Sequence, residues 1–406
     1  MKRHTGQDKE ATSSWRLETR LVRGGTWRSE MGETSEAMFM TSGYAYDCAE
    51  DAAARFAGEQ DGYTYSRLRN PTAAMFEDRM ALIEGAEVAR ATATGMAAVT
   101  AALLAILKAG DHVVSSRALF GSCRYVVETL LPRFGVEVTL VDGRDVEAWK
   151  AAMRPETAAV FLETPANPTL DVVDLQFVCD LAHDHGALVV VDNVFATPVL
   201  QKPMAYGADI VVYSATKHID GQGRCLGGCI LSSEQLLEEQ LLPFLRNTGP
   251  NISPFNAWVM LKGLETLELR IHRMCDNAAR LADMLADMKG FVRVSYPGRK
   301  DFAQHELAMK QMSRGGTILC VEVPGGREQA FKFLNSLKII DISNNIGDAK
   351  SLMTHPASTT HASVAEEARL QMGITEGMLR LSVGLEHVED LMEDLLQAAA
   401  QAGIAE

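Results

Sequence analysis

Short apolar runs alternate with amphipathic stretches from about residue 75 to 235 of the chain. The runs DHVVSS (111–116), VEVTLVD (136–142), AAVFLET (158–164), ALVVVDN (187–193) and DIVVYSAT (209–216) predict strands, being β-branched and too short for helices. VARAT (88–92) precedes the series and GGCILSS (227–233) follows it as further strands. Between them, residues 96–109, 121–134, 145–153, 174–186 and 197–206 carry helical spacing. Near-continuous apolar strands separated by helices imply a mostly parallel sheet covered on both faces, an α/β arrangement.

The flanks read differently. Residues 1 to about 20 are polar and charged, which predicts a disordered tail. Residues 21 to about 70 are rich in Gly, Tyr, Thr and Arg but too poor in apolar pattern to make a core. They are expected to wrap over another surface, of the chain itself or of a neighbouring subunit. A long helical region, roughly 255 to 289, opens at Ser253-Pro254. Beyond it come strand-like TILCVEV (317–323), a helix near 326–336, IIDISN (339–344), MLRLSVGLE (378–386) and a last helix to about 401. This irregular mixture predicts a smaller α+β domain. The linear division is therefore 1–70 tail and arm, 71–265 α/β domain, and 266–406 C-terminal domain.

Charge narrows the possible partners. With 39 Lys plus Arg against 53 Asp plus Glu the net charge is −14, which argues against nucleic-acid or anionic-membrane partners. No apolar segment opens the chain, so no secretory signal is expected. The seven cysteines are scattered without a CxxC pair, which points to reduced thiols and a cytoplasmic location.

Four patterns carry candidate chemistry, each where a strand ends or a helix begins. Thr92-Ala93-Thr94-Gly95-Met96 turns from a strand into an Ala/Leu-rich helix, either an ordinary turn or a phosphate cup. Asp192 closes a buried strand, where it either caps the next helix or meets a cation such as a protonated pyridine nitrogen. Lys217, flanked by Ser214 and Thr216 and followed by a Gly-rich turn, is a solvated lysine or an amine suited to a Schiff base. Tyr65 and Arg67, within YTYSRLRNPT, are surface packing or an oxyanion clamp. Phosphate cup, carboxylate and amine in this chain order are together what pyridoxal 5′-phosphate (PLP) requires.

YSRLRNPT, ATATGMAA, ETPANPT, VVVDN, YSATK, DGQGR, SPFNAW, LKGLETL, HPASTTH and MLRLSVGLE, in this order from about 17 to 400, resemble the Cys/Met-metabolism family of PLP enzymes. The resemblance is nearest to the O-succinylhomoserine sulfhydrylase branch. It implies the fold type I, aspartate aminotransferase-like architecture of PLP-dependent transferases. It also implies that Lys217 carries the cofactor and moves protons between Cα and Cβ, while Asp192 pairs with the pyridinium nitrogen. Gly95, Met96, Ser214 and Thr216 would hold the phosphate, joined by Tyr65 and Arg67 from a neighbouring subunit, usually within a homotetramer. Asn167 matches the residue near the cofactor's O3′ and the substrate carboxylate, and Arg380 the arginine that grips that carboxylate. The implied reaction is γ-replacement on an O-acylhomoserine by sulfide to give homocysteine, in methionine biosynthesis. Cysteine as nucleophile (a cystathionine γ-synthase) and a cystathionine or methionine γ-lyase are the alternatives.

Two departures from the family pattern bear on chemistry. Phe120-Gly121 stands where Tyr-Gly is common, so ring stacking survives without a phenol. Asn345-Ile346-Gly347 replaces Ser-Leu-Gly near the substrate carboxylate. Other features are set aside. His183 and His185 lie two apart and do not share a helical face, and Cys225 and Cys229 lack a second pair, so no metal site is expected. Cys123 reads as packing, and Arg224 as solvent-facing or a contact for a succinyl carboxylate.

Overall fold

The protein was analysed as a computed structural model that describes residue 12 and residues 14–404. In chain order its strands are β1 (Val88–Thr92), β2 (His112–Ser116), β3 (Glu137–Val141), β4 (Thr157–Glu163), β5 (Leu188–Asp192) and β6 (Ile210–Ser214). There follow β7 (Gly228–Ser232), β8 (Arg293–Ser295), β9 (Ile318–Glu322), β10 (Asp341–Ile342), β11 (Leu352–Thr354) and β12 (Met378–Ser382). The larger sheet runs β1-β7-β6-β5-β4-β2-β3 and the smaller β10-β11-β12-β9-β8. The expected strands from 88 to 232 are all present, and β2, β4, β5, β6 and β7 are buried along nearly their whole length, as strands of a doubly covered sheet are.

Two compact units, neither contiguous in sequence, make up the chain. The first takes residues up to Ile106, Val212–Asp220 and Arg224–Thr266; the second takes Leu107–Val211, Gly221–Gly223 and everything from Leu267.

In the first unit β1 pairs antiparallel with β7, placing Thr92 opposite Gly228. Helix Pro71–Glu84 is specified locally. Asn70 accepts the Thr72 amide at 2.9 Å, Pro71 presets the first turn, and Gly85 ends the helix in the left-handed region at φ 91°. The arm is held onto this unit by a buried guanidinium. Arg79 donates Nη2 to Glu36 at 2.7 Å and Nε to the Gly24 carbonyl at 2.8 Å. Lys262 Nζ adds a second bond to Glu36 at 2.9 Å.

The tail expectation needs correction. Leu17–Arg23 is a helix with Leu21 buried and Arg20 bonded to the Leu82 carbonyl at 3.2 Å, so order begins before residue 20. The apolar Leu21 finds a partner surface that composition alone does not reveal. Residues 1–11 and 13 of that tail lie outside the described residues. The single long helix expected over 255–289 is two, Pro254–Leu264 and Leu267–Asp287, broken where the chain passes from one unit to the other.

In the second unit β3, β2, β4 and β5 run parallel, with Glu163 in register beside Asp192. The smaller sheet is mainly antiparallel around β12, where Arg380 lies opposite Cys320 of β9 and Thr354 of β11. Its helices, among them Gly326–Ser336 and Val388–Gln401, bury Leu285, Leu319, Phe333, Leu379 and Leu395 in one core. No described helix is long and apolar enough to cross a membrane.

Candidate active site

At the end of β1 the chain turns through Thr94 into helix Gly95–Ile106. Thr94 caps it: its hydroxyl accepts the Ala97 amide at 3.0 Å and its carbonyl the Ala98 amide at 3.1 Å. The amides of Gly95 and Met96 lead this positive helix end. A Cβ on Gly95 would lie 2.5 Å from Ser214 Cβ, so only glycine brings the helix start against the end of β6. Ser214 Oγ carries no hydrogen bond among the described residues. Two backbone donors and a hydroxyl thus gather at a positive dipole end, a cradle suited to a phosphate.

Lys217 follows β6 in a turn, its amide bonded to the Ser214 carbonyl at 3.2 Å. Thr216 is committed differently from expectation. Its hydroxyl donates to the Gly227 carbonyl at 3.2 Å and accepts the Gly227 amide at 3.0 Å, so phosphate contact requires it to rotate. Tyr65 and Arg67 are exposed, with the guanidinium 5.4 Å from the Tyr65 ring centre and Nη1 bonded to the Arg246 carbonyl. Arg224 is exposed, as expected, and also paired: Nε meets Asp220 Oδ1 at 2.8 Å, and Asp220 is fully buried.

The second unit gathers carboxylates at strand ends. Asp192 closes β5, is buried, and accepts the Val194 amide at 3.0 Å; no cation meets it among the described residues. Burial pushes its carboxyl up to about 6, against the opposing effect of the Val194 N–H. Glu163, which sequence reasoning left unassigned, ends β4 in the same way. Its oxygens accept the Phe120 and Asn167 amides, both at 2.8 Å. The signal that singled out Asp192, a carboxylate closing an apolar run, was equally present in AAVFLET. Cys123 is packed as expected: its Sγ is 4.0 Å from Asp192, and burial, followed by the charges of Asp192 and Glu163, raises the thiol well above its usual value.

Arg380 is 2% exposed. Nη1 donates to Asn167 Oδ1 at 2.8 Å, and Nη2 to the carbonyls of Asn344 at 2.9 Å and Asn345 at 3.4 Å. It is the Asn345 carbonyl that joins this contact. Nε is buried without a partner, and no carboxylate pairs with the guanidinium among the described residues. Burial pushes its pKa down to about 10, which still leaves it charged at neutral pH. A buried cation with an unpartnered donor suits a carboxylate partner. Beside Phe120, His361 is buried, its Nε2 3.3 Å from the Leu119 carbonyl and its Nδ1 2.9 Å from the Thr360 hydroxyl. Burial pushes it down to about 4, so it stays neutral.

The chain matches the Cys/Met metabolism PLP-dependent enzyme family over residues 18–400. It belongs to that family. The O-succinylhomoserine sulfhydrylase of Mycobacterium tuberculosis is 50% identical over 381 residues, 93% of this chain and 94% of its own. The L-methionine gamma-lyase of Porphyromonas gingivalis is 42% identical over 379 residues, 93% and 95% of the two chains. A Campylobacter jejuni protein solved with N'-pyridoxyl-lysine-5'-monophosphate matches with TM-score 0.91 at 31% identity, covering 95% of this chain and 100% of that one. This PLP-dependent enzyme has the mostly parallel α/β sheet of fold type I.

Its residues fit the cofactor on two counts. The Gly95–Ser214 approach leaves a cradle that any Cβ would fill, and Asp192 is a buried carboxylate with no cation beside it among the described residues. The second has a measurable consequence. In the cofactor-free protein the fold favours protonated Asp192. That stabilisation is whole below the ordinary aspartate pKa of about 3.9, and it is lost as pH rises through about 6. Asp192→Asn apoprotein is therefore expected to melt above wild type near about pH 7.5, with the gap roughly halved near about pH 5 and closing only as pH falls below about 3.9. Equal melting temperatures at about pH 7.5 and about pH 5 would contradict the burial argument.

Proposed function

We propose that this enzyme replaces the γ-acyloxy group of an O-acylhomoserine, the O-succinyl ester by preference, with sulfide to give homocysteine and the free acid. The 50% identity to an O-succinylhomoserine sulfhydrylase over 93% of the chain is the observation that carries the reading. The open, buried Nε of Arg380 adds a receptor for an amino-acid carboxylate.

Bound PLP supplies an electron sink for negative charge developing on the substrate. Lys217 Nζ anchors the cofactor and, once released, takes the proton from Cα and then one from Cβ. With Phe120 in place of a tyrosine, no phenol shares this proton traffic, and the ring serves for stacking. Asp192, ionised, would hold the protonated pyridine nitrogen and so keep the ring an effective electron sink. Gly95, Met96, Ser214 and Thr216 hold the phosphate. Tyr65 and Arg67, exposed on their own chain, reach the phosphate of a neighbouring subunit. The complete site then needs a dimer, and two dimers form a homotetramer. Arg380 grips the α-carboxylate, with Asn167 and Asn345 fixing its orientation, so that Cα–H is presented to Lys217. The C–O bond at Cγ breaks with loss of the carboxylate, hydrosulfide adds to Cγ, and Lys217 returns the protons.

The identity to a methionine gamma-lyase favours a second reading, elimination without an added nucleophile. One panel separates the two. O-succinyl-, O-acetyl- and O-phosphohomoserine are each supplied with sulfide, with cysteine or with neither, alongside methionine and cystathionine alone. Homocysteine formed most efficiently from the succinyl ester and sulfide is expected. Cystathionine as the main product would make the enzyme a synthase, and rapid α-ketobutyrate release from methionine a lyase.

A further inference from the structure

Glu163 is a buried carboxyl group with no part in the mechanism above. It is 3% exposed, and its two oxygens are used separately. Oε2 accepts the Phe120 amide and Oε1 the Asn167 amide, each at 2.8 Å. Phe120 belongs to the loop after β2 and Asn167 to the loop after β4, so one carboxyl group bridges the main chains of two loops. The bridge continues, since Asn167 Oδ1 accepts Arg380 Nη1 at 2.8 Å. A single connected path thus runs from the Phe120 backbone through Glu163 and Asn167 to the guanidinium. Asp192 from β5, Cys123 from helix Gly121–Tyr125 and Arg380 from β12 are the charged or titratable groups that act on this region.

We propose that Glu163 is a positioning residue: it pins Phe120 and Asn167 through their amides and so holds the ring-stacking face and the Arg380 clamp in one register. The inference rests on the roles assigned above to Phe120, Asn167 and Arg380. The chemistry is selective for this side chain. A carboxyl group offers an acceptor oxygen to each of two N–H groups, whereas glutamine turns an amino group towards one of them. Aspartate is one methylene too short to span both.

The test uses the holoenzyme of wild type, Glu163→Gln, Glu163→Asp and Glu163→Ala. The visible circular dichroism of bound PLP reports how the ring is seated. The spectral response to L-norvaline, an α-amino acid with no γ leaving group, reports the carboxylate clamp. Steady-state kinetics with O-succinylhomoserine and sulfide separates KM from kcat. Glu163→Gln is expected to change the visible ellipticity, weaken L-norvaline about tenfold and raise KM more than it lowers kcat, as loss of one buried hydrogen bond would. Glu163→Ala should weaken L-norvaline about a hundredfold, with Glu163→Gln recovering part of the loss. Should Glu163→Ala fail to fold, Glu163→Gln and Glu163→Asp carry the same comparison. Wild-type ellipticity, L-norvaline affinity and KM in Glu163→Gln, even with a lowered melting temperature, would overturn the proposal and leave only structural support. A wild-type protein that binds no PLP would instead remove the functional reading beneath it.

Discussion

Lys217→Ala is expected to abolish covalent retention of PLP and to cut turnover by at least about 10³-fold, because the proposed mechanism gives one amine both the anchoring and the proton-carrying role. Two roles fail together. Without the amine, PLP is held only by its phosphate, ring and pyridine contacts, and is lost on gel filtration. The ring beside Gly121 is Phe120, which has no hydroxyl to stand in for it. The visible absorbance of the filtered protein and homocysteine release give the two readouts. A variant that kept the wild-type spectrum after filtration would exclude Lys217 as the anchor, and one that kept turnover would exclude it as the base.

Arg380 carries the second large effect. Its guanidinium sits in a protein interior with Nε open, one bond to the Asn167 amide oxygen and two to main-chain carbonyls. A substrate carboxylate arriving there completes a buried ion pair, and truncating one partner of such a pair commonly costs about 2–5 kcal/mol. Arg380→Ala should therefore lower kcat/KM for O-succinylhomoserine by roughly 10²–10³-fold, mostly through KM, while PLP remains bound. Arg380→Lys should recover little, because a single ammonium cannot reproduce the forked donors that Asn167 and a carboxylate share. A lysine variant with near wild-type KM would show that the carboxylate binds elsewhere. Equal losses in PLP affinity and KM would point to collapse of the pocket.

How far the chain could be read in advance depended on what each element must bury. Strands such as Thr157–Glu163 and Leu188–Asp192 are legible because a doubly covered strand has to be apolar on both sides. Helix Pro71–Glu84 was not predicted. Nearly all its positions are buried, so it lacks the polar stripe that marks a helix, although Asn70-Pro71 and Gly85 bracket it clearly. Short β8 and β11 exist through pairing with β9 and β12, which no local pattern encodes, whereas β10 falls within the strand-like IIDISN. The discontinuous units follow from such long-range pairing as well.

The candidate site was legible where a functional group breaks a local rule, as Asp192 does at the end of a buried strand. The motif around Gly95 reads as an ordinary turn or a phosphate cup, and the structure adds why glycine stands there: the approach of Ser214 excludes any side chain. Glu163 broke the same rule as Asp192 and went unassigned, because its partners are main-chain amides from two loops. Thr216 carries hydrogen bonds to Gly227 that its local motif does not show. A residue type can be read from a motif, but the partner that occupies it cannot.

The claim beneath all of this is that the amine of Lys217 holds PLP. Borohydride reduction of the holoenzyme, followed by proteolysis and peptide mass spectrometry, tests it directly. The account predicts a pyridoxyl-phosphate adduct on the peptide spanning YSATKHIDGQGR, at Lys217. An unmodified Lys217 in a fully PLP-loaded, active preparation, with the adduct on another lysine or absent, would contradict it.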